Sequence, residues 1–386
     1  MKASARVAFF LIFFITLYTG INFYFFRKVQ LAWPGQLAVL IAAGFFCVAM
    51  VAAPILVRTF ERSGEIGPAR VCAWLGHTWM AMVFWFLCAG LLVDAWNLGL
   101  RVAARWRPTA GEWAASPRML LLAAAATVLL LSAWGFYEAW NVRLRTVLFR
   151  TARMAPGTKP MRIAAISDVH LSLTIDEPFT RRVAELIERA QPDLVVCLGD
   201  MADADFERAN GAARRLAAVK APMGKYAVLG NHEFYAGLRN GLALLEAAGF
   251  TVLRGESVRL PNGTLLAGVD DPTARLRGLP PADERTALPP AADRPLTILL
   301  KHRPDVARGA ERRFDLQLSG HSHGGQIFPF SLIVKLFHPL GPGVVELNDG
   351  AMLYVSRGTG TWGPRIRFTQ PPEVTLVIVE PMEATP

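Results

Sequence analysis

The sequence predicts two unlike parts: N-terminal all-α membrane helices, then an α/β domain of two face-to-face sheets flanked by helices. Three observations predict it. Four apolar stretches fall ahead of residue 141, each near the ~20 residues that a bilayer core requires of a helix. Beyond them, strand-like runs alternate with amphipathic helical runs over short loops, the pattern of a sheet covered by helices. Five of the strand-like runs end in a polar group able to ligate a metal, and five of the chain's seven histidines lie at those ends.

A chain of 386 residues is long enough for two folding units. Its composition changes near residue 141, from apolar and rich in Trp and Phe to ordinary soluble usage, so the mean hydropathy of +0.31 averages two unlike halves. The formal charge of +10 comes largely from arginines flanking apolar segments, where they meet anionic head groups. No basic stripe is interleaved with exposed aromatics, so nucleic acid is not expected as a partner. Cys47, Cys72, Cys88 and Cys197 lie in apolar runs without a CxxC spacing, which argues against both disulfides and a zinc finger.

The apolar stretches run at about 7–26, 37–57, 71–93 and 119–140. The first is long and aromatic and lacks a small-residue cleavage site, so it reads as an anchor and not as a signal peptide. These spans define a four-helix transmembrane region, 1–140, ahead of a second domain, 141–386. With four spans both ends of the chain share one side. That side carries nine basic residues near the spans (Lys2, Arg6, Arg58, Arg62, Arg70, Arg143, Arg145, Arg150, Arg153). The other carries six (Arg27, Lys28, Arg101, Arg105, Arg107, Arg118), and the bias favours a cytoplasmic second domain. His77 has no acidic partner in these segments and reads as a packed residue, not a proton relay.

From Val142 the chain alternates with period two, so it leaves the membrane as a strand to Phe149. Next comes a βα pair: strand 162–166, a loop with Asp168 and His170, and a helix over 178–190 whose Val183, Leu186, Ile187 and Ala190 share a face. Strand 194–198 leads to Gly199-Asp200-Met201-Ala202-Asp203 and a helix over 206–219. Strand 226–229 leads to Gly230-Asn231-His232-Glu233 and a helix over 238–248. The rest is strand-rich: 251–260, a Pro261-Asn262-Gly263 turn, 264–269, 297–300 ending at Lys301-His302, 316–318 ending at Gly320-His321-Ser322-His323, then 352–355 and 374–379.

Asp168, His170, Asp200, Asn231, His302, His321 and His323 mix carboxylate, imidazole and amide donors, a set that suits Mn, Fe or Zn better than Ca. Seven donors are too many for one open catalytic ion; they fit two divalent ions about 3.5–4 Å apart. Such a pair activates water and neutralises phosphoryl charge, so in-line hydrolysis of a phosphate ester is the natural reaction. Ser167 and Ser322 lack an independent base and are discounted as nucleophiles.

The series DxH, GDxxD, GNHE, a lone His and GHSH, in this order over the whole second half, resembles the calcineurin-like metallophosphoesterases. The resemblance implies a two-sheet metallophosphoesterase domain and a bridging hydroxide as attacking group. It implies Asp168, His170, Asp200 and His323 at one metal, and Asp200 as bridge with Asn231, His302 and His321 at the other. His232 is similar to the family histidine that contacts the phosphate and protonates the leaving oxygen. Asp203 and Glu233 match the motifs without being ligands, and orientation of the histidines is their expected role.

Leu299-Leu300-Lys301-His302-Arg303-Pro304-Asp305 and Gly320-His321-Ser322-His323-Gly324-Gly325-Gln326 look like the membrane-anchored subgroup of the bacterial YkuE and YaeI proteins. That points to a multi-pass protein of a bacterial inner membrane. Some members are associated with cleaving UDP-2,3-diacylglucosamine in lipid A assembly, which makes this lipid a candidate substrate, with manganese a candidate metal. A soluble phosphodiester, a phosphoprotein, or a non-catalytic membrane sensor are the alternatives; the oligomeric state stays open. The apolar loop 327–337 either meets lipid, or packs into the domain core or against the four helices. Arg357, Arg365 and Arg367 read as solvated surface charges sooner than as a phosphate clamp.

Overall fold

The computed structural model describes residues 3–203, 206–280, 283–292, 294–347 and 350–382. By contact the chain divides into two compact units, Met1–Phe136 with Gly363–Ile366, and Tyr137–Trp362 with Arg367–Pro386.

In the first unit, α1 (Ala3–Ala32), α2 (Leu37–Arg62), α3 (Ile66–Ala103) and α4 (Pro117–Trp140, which runs into the second unit) are long helices. Among the described residues, α2, α3 and α4 are long and apolar enough to cross a membrane. The first expected span, 7–26, lies on α1, where the side chains of residues 3–7 and 10 fall outside the described residues. At 38 residues α3 extends about 57 Å, well beyond the expected span 71–93 and beyond a ~30 Å hydrocarbon core. Helices approach closely where Gly76 faces Ala53: a Cβ on Gly76 would lie 2.6 Å from the Ala53 Cβ. Polar contacts join α1 to α3, with Trp79 Nε1 donating to Asn22 Oδ1 at 2.8 Å and the Tyr24 hydroxyl to Asp94 at 2.7 Å.

The second unit starts with the last turn of α4. Here Glu138 is buried and ion-paired with Arg143 at 2.8 Å. The elements then follow as β1 (Arg143–Thr151), β2 (Met161–Ile166), α5 (Glu177–Arg189), β3 (Leu194–Cys197), α6 (Phe206–Ala217), β4 (Lys225–Ala227), α7 (Asn231–Ala236), α8 (Leu238–Ala247) and β5 (Thr251–Val252). Beyond these lie β6 (Glu256–Arg259), β7 (Leu265–Gly268), α9 (Glu284–Ala287), β8 (Thr297–Leu300), β9 (Leu316–Ser319), α10 (Phe330–Phe337), β10 (Gly343–Glu346), β11 (Met352–Val355) and β12 (Glu373–Pro381).

The strands form two mixed six-stranded sheets, in the orders β1-β12-β2-β3-β4-β5 and β10-β11-β9-β8-β7-β6. This is the two-sheet α/β domain that the sequence predicts. Side-chain alternation decides what each face packs against. Ile163 and Ala165 of β2 point into the core between the sheets with Val196, Leu266, Ile298, Leu318 and Tyr354. Ala164 and Ile166 point the other way, onto Phe179, Val183 and Ile187 of α5, Leu216 of α6 and Leu245 of α8. Cys197 joins that helix-facing layer as an apolar residue, wholly buried.

Two local expectations change. The single strand expected at 251–260 is broken at Gly255, whose φ of +80° bends the chain so that β5 pairs with β4 and β6 with β7 of the other sheet. Arg254, bound to Asp270 at 2.6 Å, holds the crossing. The apolar stretch expected as a loop at 327–337 contains α10, because eight strong apolar or helix-compatible residues run there without an internal Pro or Gly.

Candidate metal centre

Strands β2, β3 and β4 run parallel in one sheet, and β8 and β9 run parallel in the other, so their carboxyl ends carry the motif loops to one edge. All seven expected ligands and His232 meet there. Three clusters offer one ligand atom per residue within 4.8 Å of one another: Asp168, His170 and His323; His170, Asp200 and His232; Asp200, His302 and His321. His170 and Asp200 each belong to two of them, and Asp200 is the carboxylate that links the His170 side to the His302 side. Asn231 joins the last cluster through Oδ1, 3.2 Å from His302 Nε2.

Three of the imidazoles are aimed by a fixed acceptor. Asp203 takes the Nδ1–H of His170 at 2.6 Å and of His232 at 2.8 Å, since a carboxylate can only accept. The Leu198 carbonyl takes the Nδ1–H of His302 at 2.8 Å. Nε2 of His170 and Nε2 of His302 therefore face inward. His170 Nε2 stands 3.0 Å from His323 Nε2, and His302 Nε2 lies 3.1 Å from both Asp200 Oδ2 and His321 Nδ1. Buried carboxylates and imidazoles this close need positive charge among them, which protons on the histidines or bound cations supply. The donor set fits two divalent ions.

Backbone geometry points the same way. Asp168, His170, Asp200, His321 and His323 all adopt φ between +50° and +74° without being glycine. Each such residue costs on the order of 1 kcal/mol or more, so the strain marks a functional edge. Glycines make room where the loops cross: a Cβ on Gly320 would lie 2.3 Å from Asp168 Oδ2, and one on Gly230 would lie 2.1 Å from Asp200 Oδ1.

The charges are strongly coupled. Burial favours the neutral form of Asp200, but His302, His232 and His170 outweigh it and hold the carboxyl well below its ordinary range. Burial likewise opposes charge on His302, yet Asp200 and Asp168 raise it to about 10. His321 goes the other way, to about 3, through burial and the neighbouring His302 and Arg303 charges. His232 is raised to about 9: burial works against it, while the Asp203 hydrogen bond and the Asp200 charge prevail.

The motifs predict that Asp203 and Glu233 orient histidines. Asp203 does so, whereas Glu233 instead accepts the backbone N–H groups of Gly230, Asp200 and Met201 at 2.8, 3.0 and 2.7 Å, tying two motif loops together. Arg367, expected on the surface, is wholly buried under the site. It donates to the carbonyls of Gly360, Arg357, His323 and Gln370 and lies 3.2 Å from His323 Nδ1. Arg357 lies 3.6 Å from Glu373. Three further rings near the histidines carried no local signal. Tyr235 and Trp362, each 56% exposed, stand edge-on to His232, and His338 stands edge-on to His321.

Replacing Arg367 by Met leaves those carbonyls without their buried donor. The expected loss is about 3–5 kcal/mol, read as a fall in Tm of roughly 6–20 °C for a domain of this size. Arg367→Lys should recover less than half of it, because an ammonium lacks the planar fork. An unchanged Tm for both variants would sink this reading.

Comparison with known proteins agrees with the fold. The calcineurin-like phosphoesterase family matches residues 161–325, and the chain belongs to this metallophosphoesterase family. It is 38% identical over 253 residues to an uncharacterized metallophosphoesterase of Aquifex aeolicus, covering 65% of this chain and 97% of that one. A Danio rerio transmembrane protein with a metallophosphoesterase domain is 32% identical over 232 residues, 57% of this chain and 53% of its own. The Bacillus subtilis metallophosphoesterase YkuE, uncharacterized as well, is 32% identical over 232 residues, 57% of this chain and 79% of its own.

Proposed function

We propose that the protein is a membrane-anchored two-metal phosphoesterase: a four-helix anchor, 1–140, carrying a catalytic domain, 141–386. The observation that carries this reading is the carboxylate of Asp200, whose Oδ2 lies between His170 Nε2 at 3.9 Å and His302 Nε2 at 3.1 Å. Asp168, His170, Asp200 and His323 would hold one ion; Asp200, Asn231, His302 and His321 the other. When bound, the two ions activate water and neutralise the charge that builds on the phosphoryl oxygens. His232, its Nδ1–H held by Asp203 at 2.8 Å, keeps Nε2 for the substrate and donates its proton to the leaving oxygen. The donor set is that of Mn, Fe or Zn.

The substrate we assign to this site is a phosphoester or pyrophosphate on a membrane lipid, with UDP-2,3-diacylglucosamine as first candidate. Support comes from the apolar helices in the same chain and from the exposed rings of Tyr235 and Trp362 beside His232, which offer faces for a planar or sugar group. The test is UMP release from this lipid by the detergent-purified, Mn-loaded protein, beside a soluble aryl phosphodiester. Turnover of the lipid supports the reading. Turnover of the diester alone overturns the lipid substrate and leaves the metal chemistry in place.

A further inference from the structure

We infer that α10 is an interfacial helix that lies in the surface of the bilayer, next to the loop that carries His321 and His323. The helix reads Phe-Ser-Leu-Ile-Val-Lys-Leu-Phe, and none of its residues is buried. Leu332, Ile333, Leu336 and Phe337 follow one another at helical spacing and form one stripe, with Leu336 81% and Phe337 77% exposed. Phe328 and Phe330 extend the stripe toward the histidines at 43% and 45% exposure. A contiguous apolar surface of this kind on a soluble face marks a contact with something apolar.

Two features of the chain select a bilayer as that partner. Three helices of the same chain are long and apolar enough to cross a membrane, so a bilayer is always within the reach of this unit. Charge fits as well. From Leu316 to Val345 the sequence has no Asp or Glu, and Lys335 sits within α10 itself, the arrangement that suits anionic head groups.

The seat of the helix gives the contact its consequence. Gly325, two residues beyond His323, packs so tightly on the start of α10 that a Cβ there would lie 2.3 Å from the Ser331 Cα. The Ser331 N–H also donates to the Ile327 carbonyl at 3.1 Å. A helix held in lipid at this point fixes the depth at which the histidine loop stands relative to the head groups. The inference rests on the membrane helices and not on the choice of substrate.

The test uses the full chain in nanodiscs of phosphatidylethanolamine and phosphatidylglycerol. Cys47, Cys72 and Cys88 are replaced by Ala, the buried Cys197 is kept, and a nitroxide is attached at Leu336→Cys or Phe337→Cys. The exposed Glu246→Cys on α8 is the control. Collision with oxygen relative to a water-soluble nickel chelate should be at least about five-fold higher at 336 and 337 than at 246. A Leu332→Glu substitution should pull the label at 336 toward the control value, with turnover of a soluble aryl phosphodiester unchanged. Three results would overturn the inference: control-like values at both positions, shielding that appears only after a diacylated substrate is added, or spin–spin broadening that shows a second copy covering the stripe. UMP release is scored separately, so a failed lipid substrate and a failed interfacial helix give different patterns.

Discussion

Asp200→Asn yields a folded protein that binds fewer than two ions per chain and has lost its turnover. Asn keeps the shape and the Oδ1 acceptor that receives the His232 backbone N–H at 2.8 Å, so the loop stays closed. What disappears is the negative charge that two clusters share. His302 Nε2, 3.1 Å from Asp200 Oδ2, loses the partner that raises it, and a bridging position becomes a neutral amide. An ion held this way contributes several kcal/mol to a charged transition state, so kcat should fall on the order of 10³-fold or more. Metal analysis beside turnover checks it. Two tightly bound ions with kcat within about ten-fold of the parent would remove Asp200 from the bridge.

His232→Ala has the second-largest expected effect, and its pattern across substrates matters more than its size. His232 belongs by distance to a cluster with His170 and Asp200, at ligand range of both. Asp203 nevertheless fixes its Nδ1–H, and Tyr235 and Trp362 flank its ring where a substrate would enter. As proton donor it should contribute roughly 10²–10⁴-fold to cleavage of a bond with a poor leaving group. An aryl phosphodiester, whose leaving oxygen needs no proton, should lose much less. Metal content should stay at two ions. Loss of an ion together with equal losses on both substrates would make His232 a ligand.

Much of this was legible in the sequence because it is local. A strand ending in Gly-Asp or Gly-Asn-His places its polar residue at a sheet edge whatever surrounds it, and five such ends, read together, converge in the structure. Arg367 was not legible. It acts on His323 from 44 residues away, and an arginine near a Gly-Thr-Gly turn looks like any surface charge until its burial is known. The break at Gly255 was hidden for another reason: residues 251–260 keep strand character throughout, and only the pairing partners reveal that the chain changes sheets. Helix α10 follows the same lesson, since eight apolar-rich residues after a histidine motif fit a loop, a core segment or a surface helix equally well until exposure is seen.

The place of β12 has a consequence for how the protein is made. β1 and β2 are neighbours in sequence but not in the sheet; β12 lies between them, parallel to β1 from Arg143↔Glu373 to Thr151↔Pro381 and antiparallel to β2. A ribosome delivers β1 first and β12 last, more than two hundred residues later. Until the final strand emerges, the segment that leaves the helices has an open edge and no partner. The second unit therefore cannot close until residues 373–381 have emerged, with loop closure across nearly its whole length as a slow step. A nascent chain stalled before residue 373 would hold every expected metal ligand and still lack the strand that joins the start of its sheet to the rest.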